Sequence, residues 1–338
     1  MPEPAALLPL YGAGLQEMNL PAGNVAANGR YCKVENMSVN FRTYRNAELY
    51  GEDYSSVRDF LIKLDSHNYH FGRWDWMVMN LESEWADPEG VEKIGIWEED
   101  KKIVALATFD TKLGKAFLLT LNGYAFLKKE MLLYSKENLL KNGKFSVSVL
   151  DGDLETQNIA KENGFYPTQD KECDAVFLIE KDKTSYDLPK GFQIISFNDD
   201  FDLYKYGQAL WKGFNHEMNG EGPFSFYWEE HSNEYKKAWN RPNVDLNLKI
   251  FAVAPNGDFV SHCGMWYCEG LESALVEPVA TEPAYRKMGL GKAVVLEGIK
   301  RCGQLGAKRA FVGSSQQFYY SIGFSPYAAS TWWKEKVK

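Results

Sequence analysis

The residues best placed to do chemistry fall in one stretch, 276–293, which reads VEPVATEPAYRKMGLGKA. In it Arg286 and Lys287 precede Met288, Gly289, Leu290, Gly291 and Lys292. Amides left unpaired in a first helical turn point outward and carry partial positive charge, so a glycine-rich turn opening a helix cradles phosphate. The glycines let main chain approach the anion, and the basic side chains add charge. The implied chemistry is pyrophosphate binding. Ahead of the turn, Glu277 stands in an otherwise apolar, β-branched run. Side chains alternate along a strand, so Glu277, Val279 and Thr281 share a face. Burial raises a carboxylate's pKa usefully, which makes Glu277 the candidate general base. A partner for a buried Arg or Tyr, or a ligand to a substrate ammonium, is the alternative role. His216 and His262 are further candidates, and His262 reads as a mid-strand hydrogen-bonder. Cys263, Cys268 and His262 match no zinc spacing and run along a strand, so no metal is expected. Cys302 shares a helical stripe with Val295 and Ile299 and reads as core.

These side chains need a strand, a loop and a helix in that order. Residues 274–281 read as the strand, stopped by Glu282-Pro283, and 289–305 as the helix, ended by Gly306. Around them lie strand 192–195, helix 203–214, and strands 248–253 and 260–267 joined through Pro255-Asn256-Gly257-Asp258, a strong hairpin signal. Strand 309–312 and a short helix 318–321 follow, then Ile322-Gly323-Phe324. The first half carries a parallel series: strand 41–44, helix 54–64, strands 93–97 and 103–109, strand 116–121, helix 124–140, strand 144–150, a short helix and Gly164-Phe165. A last strand is expected at 175–179. Aromatic clusters at 67–76 and 214–239 occupy corresponding places.

The landmarks of the two halves pair off at a period far too long for a solenoid unit. The chain therefore reads as a duplicated domain: a leader at 1–37, an N-terminal copy at 38–180, a polar linker at 181–190 and a C-terminal copy at 191–338. The leader, rich in Ala, Gly, Pro and Asn, is read as flexible or accessory. One loop breaks the duplication. Where the second copy has residues 282–292, the first has only Asn122-Gly123 between strand and helix.

With 338 residues, 45% hydrophobic and 25% charged, the chain has the composition of a soluble globular protein with room for two cores. A formal charge of −8 speaks against nucleic acid as partner and suits a cationic or neutral substrate. Five cysteines without framework spacing, no signal sequence and no long apolar run point to the cytoplasm and away from membranes.

Two ligands compete for the cradle. A dinucleotide fingerprint needs three glycines in a tight turn within a βαβ series. Here Val294 follows Gly289-x-Gly291 where a third small residue belongs, and the preceding loop is long. The other candidate is specific. Arg286-x-x-Gly289-x-Gly291 after a strand, with Phe318-Tyr319-x-x-Ile322-Gly323-Phe324 downstream, resembles the acyl-CoA signature of the GNAT superfamily of N-acetyltransferases. The motifs cover 191–338; residues 39–180 resemble it by architecture only. The resemblance implies an α/β fold of two tandem GNAT-type domains, each a mixed, mostly antiparallel sheet flanked by helices, the N-terminal copy degenerate. It implies acetyl-CoA as cosubstrate. Pantetheine would lie along Val279, Ala280 and Thr281 and touch Ser314, and the pyrophosphate would rest on residues 286–292. Tyr319 would be the general acid on the departing thiolate, with Tyr320 as fallback. The rings at 67–76 and 214–239, with Glu217, Glu229 and Glu230, would border the acceptor or join the halves. The implied activity is acetyl transfer to a primary amine, expected to be a small molecule; a non-catalytic acyl-CoA-binding module is the alternative.

Overall fold

A computed structural model describes residues 38–45, 48–83 and 86–335. The leader expected at 1–37 lies outside the described residues. In chain order the first half contains β1 (Asn40–Thr43), α1 (Glu52–Leu64), α2 (Phe71–Met79), β2 (Gly95–Glu99), β3 (Lys102–Thr108), β4 (Lys115–Thr120), α3 (Lys128–Asn138), β5 (Ser146–Leu150), α4 (Leu154–Glu162) and β6 (Phe165–Leu178). The second contains β7 (Gln193–Ser196), α5 (Leu203–Gly213), α6 (Phe224–Trp239), β8 (Lys249–Val253), β9 (Phe259–Trp266), β10 (Ser273–Thr281), α7 (Leu290–Gln304), β11 (Arg309–Val312), α8 (Gln317–Ser321) and β12 (Ser325–Glu335). Both aromatic clusters thus include a helix. Tyr69, Phe71 and Trp74 are core residues of the first half, whereas Glu229 and Glu230 are exposed on α6.

The strands of the described residues form one 12-stranded sheet in the order β1-β2-β3-β4-β5-β12-β6-β11-β10-β9-β8-β7. The two halves exchange their last strands. β12 pairs with β5 through Ser330↔Leu150 to Lys334↔Ser146, and β6 pairs with β11 through Arg309↔Leu178 to Val312↔Ala175. β6 and β12 then pair antiparallel with each other at the centre. Cores follow the exchange. Trp332 packs in the first half's core and Trp333 in a neighbouring cluster with Leu132 and Val147, while Ala175 and Phe177 pack in the second half's core.

Sequence reading misjudged both exchanged strands. β6 begins at Phe165, not at 175, and residues 325–335 form a strand that was not expected. The physical reason is the same for each. Residues 166–172 of β6 are largely exposed, so no apolar alternation marks them, and their main-chain partners come from the far end of the chain.

In each half the strand before the long helix runs parallel to the strand after it for only a few residues. β10 pairs with β11 from Ser273↔Arg309 to Leu275↔Phe311 and then leaves it, although β10 continues to Thr281. β4 and β5 pair only at Lys115↔Ser146 and Ala116↔Val147. Each half therefore opens a gap between these strands.

Candidate active site

The cradle forms where β10 gives way to α7. Gly289 caps α7 with φ 84°, and Lys287 also takes a left-handed φ of 64°. Glycine adopts that conformation without Cβ strain. Among the described residues, the amides from Lys287 to Lys292 meet no protein acceptor, and the first bond into the helix runs from Ala293 N–H to Gly289 O. Six successive free donors therefore sit at the positive end of a 15-residue helix. A Cβ on Gly291 would come within 3.1 Å of Thr281 Oγ1 and 3.4 Å of the Phe318 ring, so this turn lies against the strand's end and the start of α8.

Arg286 differs from its basic neighbours. Its Nε donates to Thr281 O at 3.0 Å, and its Nη2 donates to Gly213 O at 2.8 Å and Asn215 Oδ1 at 2.7 Å. The guanidinium thereby pins the loop to the end of β10 and the end of α5. Lys287, Met288 and Lys292 are exposed. Val279 is half-buried and Ala280 buried on β10. Ser314 follows β11, with its Oγ accepting from Gln316 N–H at 3.2 Å.

Glu277 stands at a break in β10. Val276 pairs with Met265 and Val279 with Cys263, so Glu277 and Pro278 together oppose Gly264, a β-bulge. A Cβ on Gly264 would lie 2.5 Å from Glu277 O, which is why the bulge needs glycine beneath it. Trp266 Nε1 donates to Glu277 O at 2.7 Å and holds the bulge from the neighbouring strand. The Glu277 carboxyl is raised above the usual carboxylate range by burial; Arg73 pulls it back, and Asp110 and Glu172 push it further up. Tyr319, 7% exposed on α8, has its phenol pushed up by burial and then by Cys263 and Glu277, so it stays protonated near neutrality. The bulge and α8 thus bring a carboxyl of raised pKa and a protonated phenol into electrostatic reach of one another, beside the gap between β10 and β11. Tyr320 is half-buried on the same helix.

Sequence reasoning missed the contribution of the first half. Because β6 lies beside β11, Glu172 and Asp174 reach this region, and α2 brings Arg73. A Cβ on Gly313, just past β11, would lie 3.2 Å from Arg73 Nη2 and 3.8 Å from Asp174 Oδ1. Asp174 Oδ2 is 2.7 Å from His67 Nδ1, and Glu172 Oε2 is 3.8 Å from Arg73 Nη1. Asp110, which follows β3, has its carboxyl raised by burial and lowered by Arg73. No local pattern announces these residues, since only the strand exchange assembles them.

The remaining candidates settle into packing. His262 is buried, donates from Nδ1 to Ile250 O at 3.0 Å, and stacks on Phe251; burial lowers its pKa to about 3. His216 lies 2.8 Å from Glu221 and stacks on Trp211. Cys302 is buried, and burial pushes its thiol up to about 12. Among the described residues no group of His, Cys, Asp and Glu is arranged to hold a metal ion, and no helix is long and apolar enough to cross a membrane.

Comparison with known proteins bears on this arrangement. Residues 211–324, which include the cradle, Glu277 and Tyr319, match the family model described as Acetyltransferase (GNAT) family. Among solved structures, a tandem GNAT protein from the clavulanic acid biosynthesis pathway superposes with a TM-score of 0.57 at 11% identity, covering 89% of this chain and 100% of the other. A GCN5-related N-acetyltransferase from Sphaerobacter thermophilus superposes with a TM-score of 0.50 at 12% identity, covering 88% and 95%. At such identities the likeness is one of fold. Comparison with curated protein sequences finds no match.

Proposed function

For a chain whose residues 211–324 form a GNAT acetyltransferase domain within a tandem GNAT fold, we propose an acetyl-CoA-dependent N-acetyltransferase acting on a primary amine of a small molecule. The catalytic copy is 191–338, joined by the linker 181–190 to a copy at 38–180 that lacks its own cradle. The observation that carries this reading is the row of free amides from Lys287 to Lys292 at the mouth of the gap between β10 and β11.

In this reading those amides hold the pyrophosphate, with Lys287 and Lys292 adding charge and Arg286 keeping the loop in shape. The main chain of Val279, Ala280 and Thr281, with Ser314 opposite, lines the path of the pantetheine arm. Glu277 takes the proton from the arriving ammonium, because a protonated amine has no lone pair to attack with. The neutral nitrogen then forms its bond to the thioester carbonyl carbon. An N–H of the splayed strand stabilises the oxyanion. As the C–S bond breaks, Tyr319 protonates the thiolate, and the extra proton on the acylated nitrogen leaves to solvent, from which the phenolate regains its own. The described cysteines are unpaired, in keeping with a reducing cytoplasm, where we place the protein.

Thiol release from acetyl-CoA against a panel of small amines tests the proposal. Tyr319→Phe should lower kcat by about 10²-fold, the scale of one general acid, with little change in KM for acetyl-CoA. An unchanged kcat would remove Tyr319 from the chemistry. Failure of the protein to bind CoA would remove the proposal itself.

A further inference from the structure

What holds the bulge at Glu277 reaches back into the first half of the chain. Trp266 Nε1 donates to Glu277 O at 2.7 Å, and the indole that carries this donor is itself held by other groups. It is 5% exposed and packs in the core of the first half, which includes Phe71 and Trp74 of α2, rather than in the core of its own half. At Gly72 of α2 a Cβ would lie 2.6 Å from Trp266 Cγ and 2.7 Å from its Cβ, so helix and indole meet where no side chain fits. His70 Nδ1 accepts from Gly72 N–H at 3.0 Å and fixes that end of the helix. Over the ring stands Arg241, its Cζ 4.6 Å from the centroid, with Nη1 donating to Asp75 O of α2 at 3.1 Å. Arg241 Nε and Nη2 are buried with no hydrogen-bond partner among the described residues, so the ring contact is what compensates their burial. Lys249 Nζ lies 3.6 Å from the same centroid and donates to Met265 O at 2.9 Å. Asp75 in turn is anchored inside the first half, where its side-chain oxygens accept from the Tyr54 hydroxyl at 2.6 Å and Arg58 Nε at 3.1 Å.

Resting on the reading of Glu277 as the base, we propose that Trp266 is its positioning residue, and that α2 of the first half sets where the indole stands. The contacts run without a break. Gly72 and the Asp75–Arg241 pair hold the ring, the ring's N–H holds the Glu277 carbonyl, and that carbonyl belongs to the residue whose carboxyl must meet the amine. A bulge leaves its extra residue without a ladder partner, so Glu277 and Pro278 lack the register that fixes the rest of β10. A donor from the neighbouring strand's side chain takes over that task. The indole suits it, because a rigid bicyclic ring pressed against Gly72 has little room to turn. The first half thereby acts on the site of the second through one side chain.

Two variants of the full chain separate positioning from mere packing. Trp266→Phe keeps an aromatic ring and removes the N–H. Gly72→Ala keeps the N–H and drives a methyl into the indole, and it covers the case in which the first variant does not fold. Each should lower kcat by about 10²-fold, the cost of misplacing a reacting group by about 1 Å, with CoA affinity by calorimetry unchanged because the free amides lie beyond the end of β10. Burial holds the Glu277 carboxyl above the ordinary range, so a loosened bulge lowers it, and the acid limb of the pH–rate profile should move to lower pH by about one unit. Unchanged kcat in both variants, or a loss of activity with the limb in place, would overturn the inference, since packing damage scales the rate without moving the limb. A readout without turnover separates it from the proposed activity. In protein carrying nitrogen-15-labelled tryptophan, the Trp266 indole N–H resonance, identified by its loss in Trp266→Phe, should shift as Glu277 titrates and lose that step in Glu277→Gln. An indole resonance indifferent to Glu277 would overturn the inference even in an active enzyme. One that follows Glu277 in a protein releasing no thiol would support it and count against the acetyl transfer.

Discussion

The two halves of the sheet carry the same strands and helices, yet every polar device of the second is apolar or plugged in the first. Counting from the first pair of each parallel ladder, Glu277 of β10 corresponds to Leu119 of β4. Counting back from Gly323-Phe324 and Gly164-Phe165, Tyr319 corresponds to Ala160. Leu119 and Ala160 are both buried in apolar clusters. The bulge has no counterpart either, since β3 and β4 pair without a shift from Ala105↔Thr120 to Thr108↔Phe117. At the helix start, Gly289 with positive φ is matched by Leu127 in ordinary helical conformation, led in by a 3-10 turn at Ala125–Leu127. Lys128 Nζ then bonds Asp153 Oδ2 at 2.7 Å, which ties the N-termini of α3 and α4 together where the second half leaves its cradle open. A shared backbone plan thus tolerates both a cleft and a sealed core. The difference lies in one bulge, one loop and a few side chains.

That contrast can be broken most severely at the exchanged strands. Deleting residues 325–338 removes β12 from between β5 and β6 and takes Trp332 and Trp333 out of the first half's packing. The loss should match the whole stability of an ordinary domain, about 5–15 kcal/mol, and unfold both halves together. Circular dichroism checks this; a stable folded first half would mean that the halves are independent after all.

A smaller effect is expected at Glu277. Glu277→Gln should lower kcat by about 10²-fold or more and abolish the acid limb of the pH–rate profile. The sign follows from the raised carboxyl: the base form exists only above the folded pKa, so wild-type activity falls as pH falls through it. The same shift makes the folded state hold its proton more tightly than the unfolded chain. Glu277 therefore costs stability once pH rises past the unfolded value, and the variant should melt at a higher temperature than wild type near neutrality. An unaltered profile would assign the base elsewhere.

The cradle gives the mildest test. Gly289→Val forces a β-branched residue into left-handed backbone at a cost of roughly 1–3 kcal/mol, which should weaken CoA binding about tenfold or more. Calorimetry should return one CoA per chain for wild type. Two would show that the first half also binds, contrary to the Lys128–Asp153 closure.

Much of this was legible before the fold. The strand–loop–helix unit of β10 and α7 announces itself because its signals are local: a β-branched run, a proline stop, glycines, then helical periodicity. The duplication was legible for the same reason, as was the missing loop after β4. The bulge at Glu277 was not, because the disturbed alternation around Pro278 has no meaning until Gly264 is placed opposite. Arg286 was read as a phosphate contact from its position alone, and the structure adds three main-chain and side-chain oxygens that already occupy it.

By itself, then, the sequence showed the elements outside the aromatic stretches and the exchanged strands, their repetition, and which half has the long basic, glycine-bearing loop between strand and helix, since each depends on residues a few positions apart. Tertiary structure alone decided what surrounds Glu277. Exchange of β6 and β12 is a choice among main-chain partners that offer the same hydrogen bonds in either half, and no residue pattern in one strand names its neighbour. That choice puts Glu172 and Asp174 beside β11, next to Arg73 from α2, so that residues of the first half stand at the gap between β10 and β11.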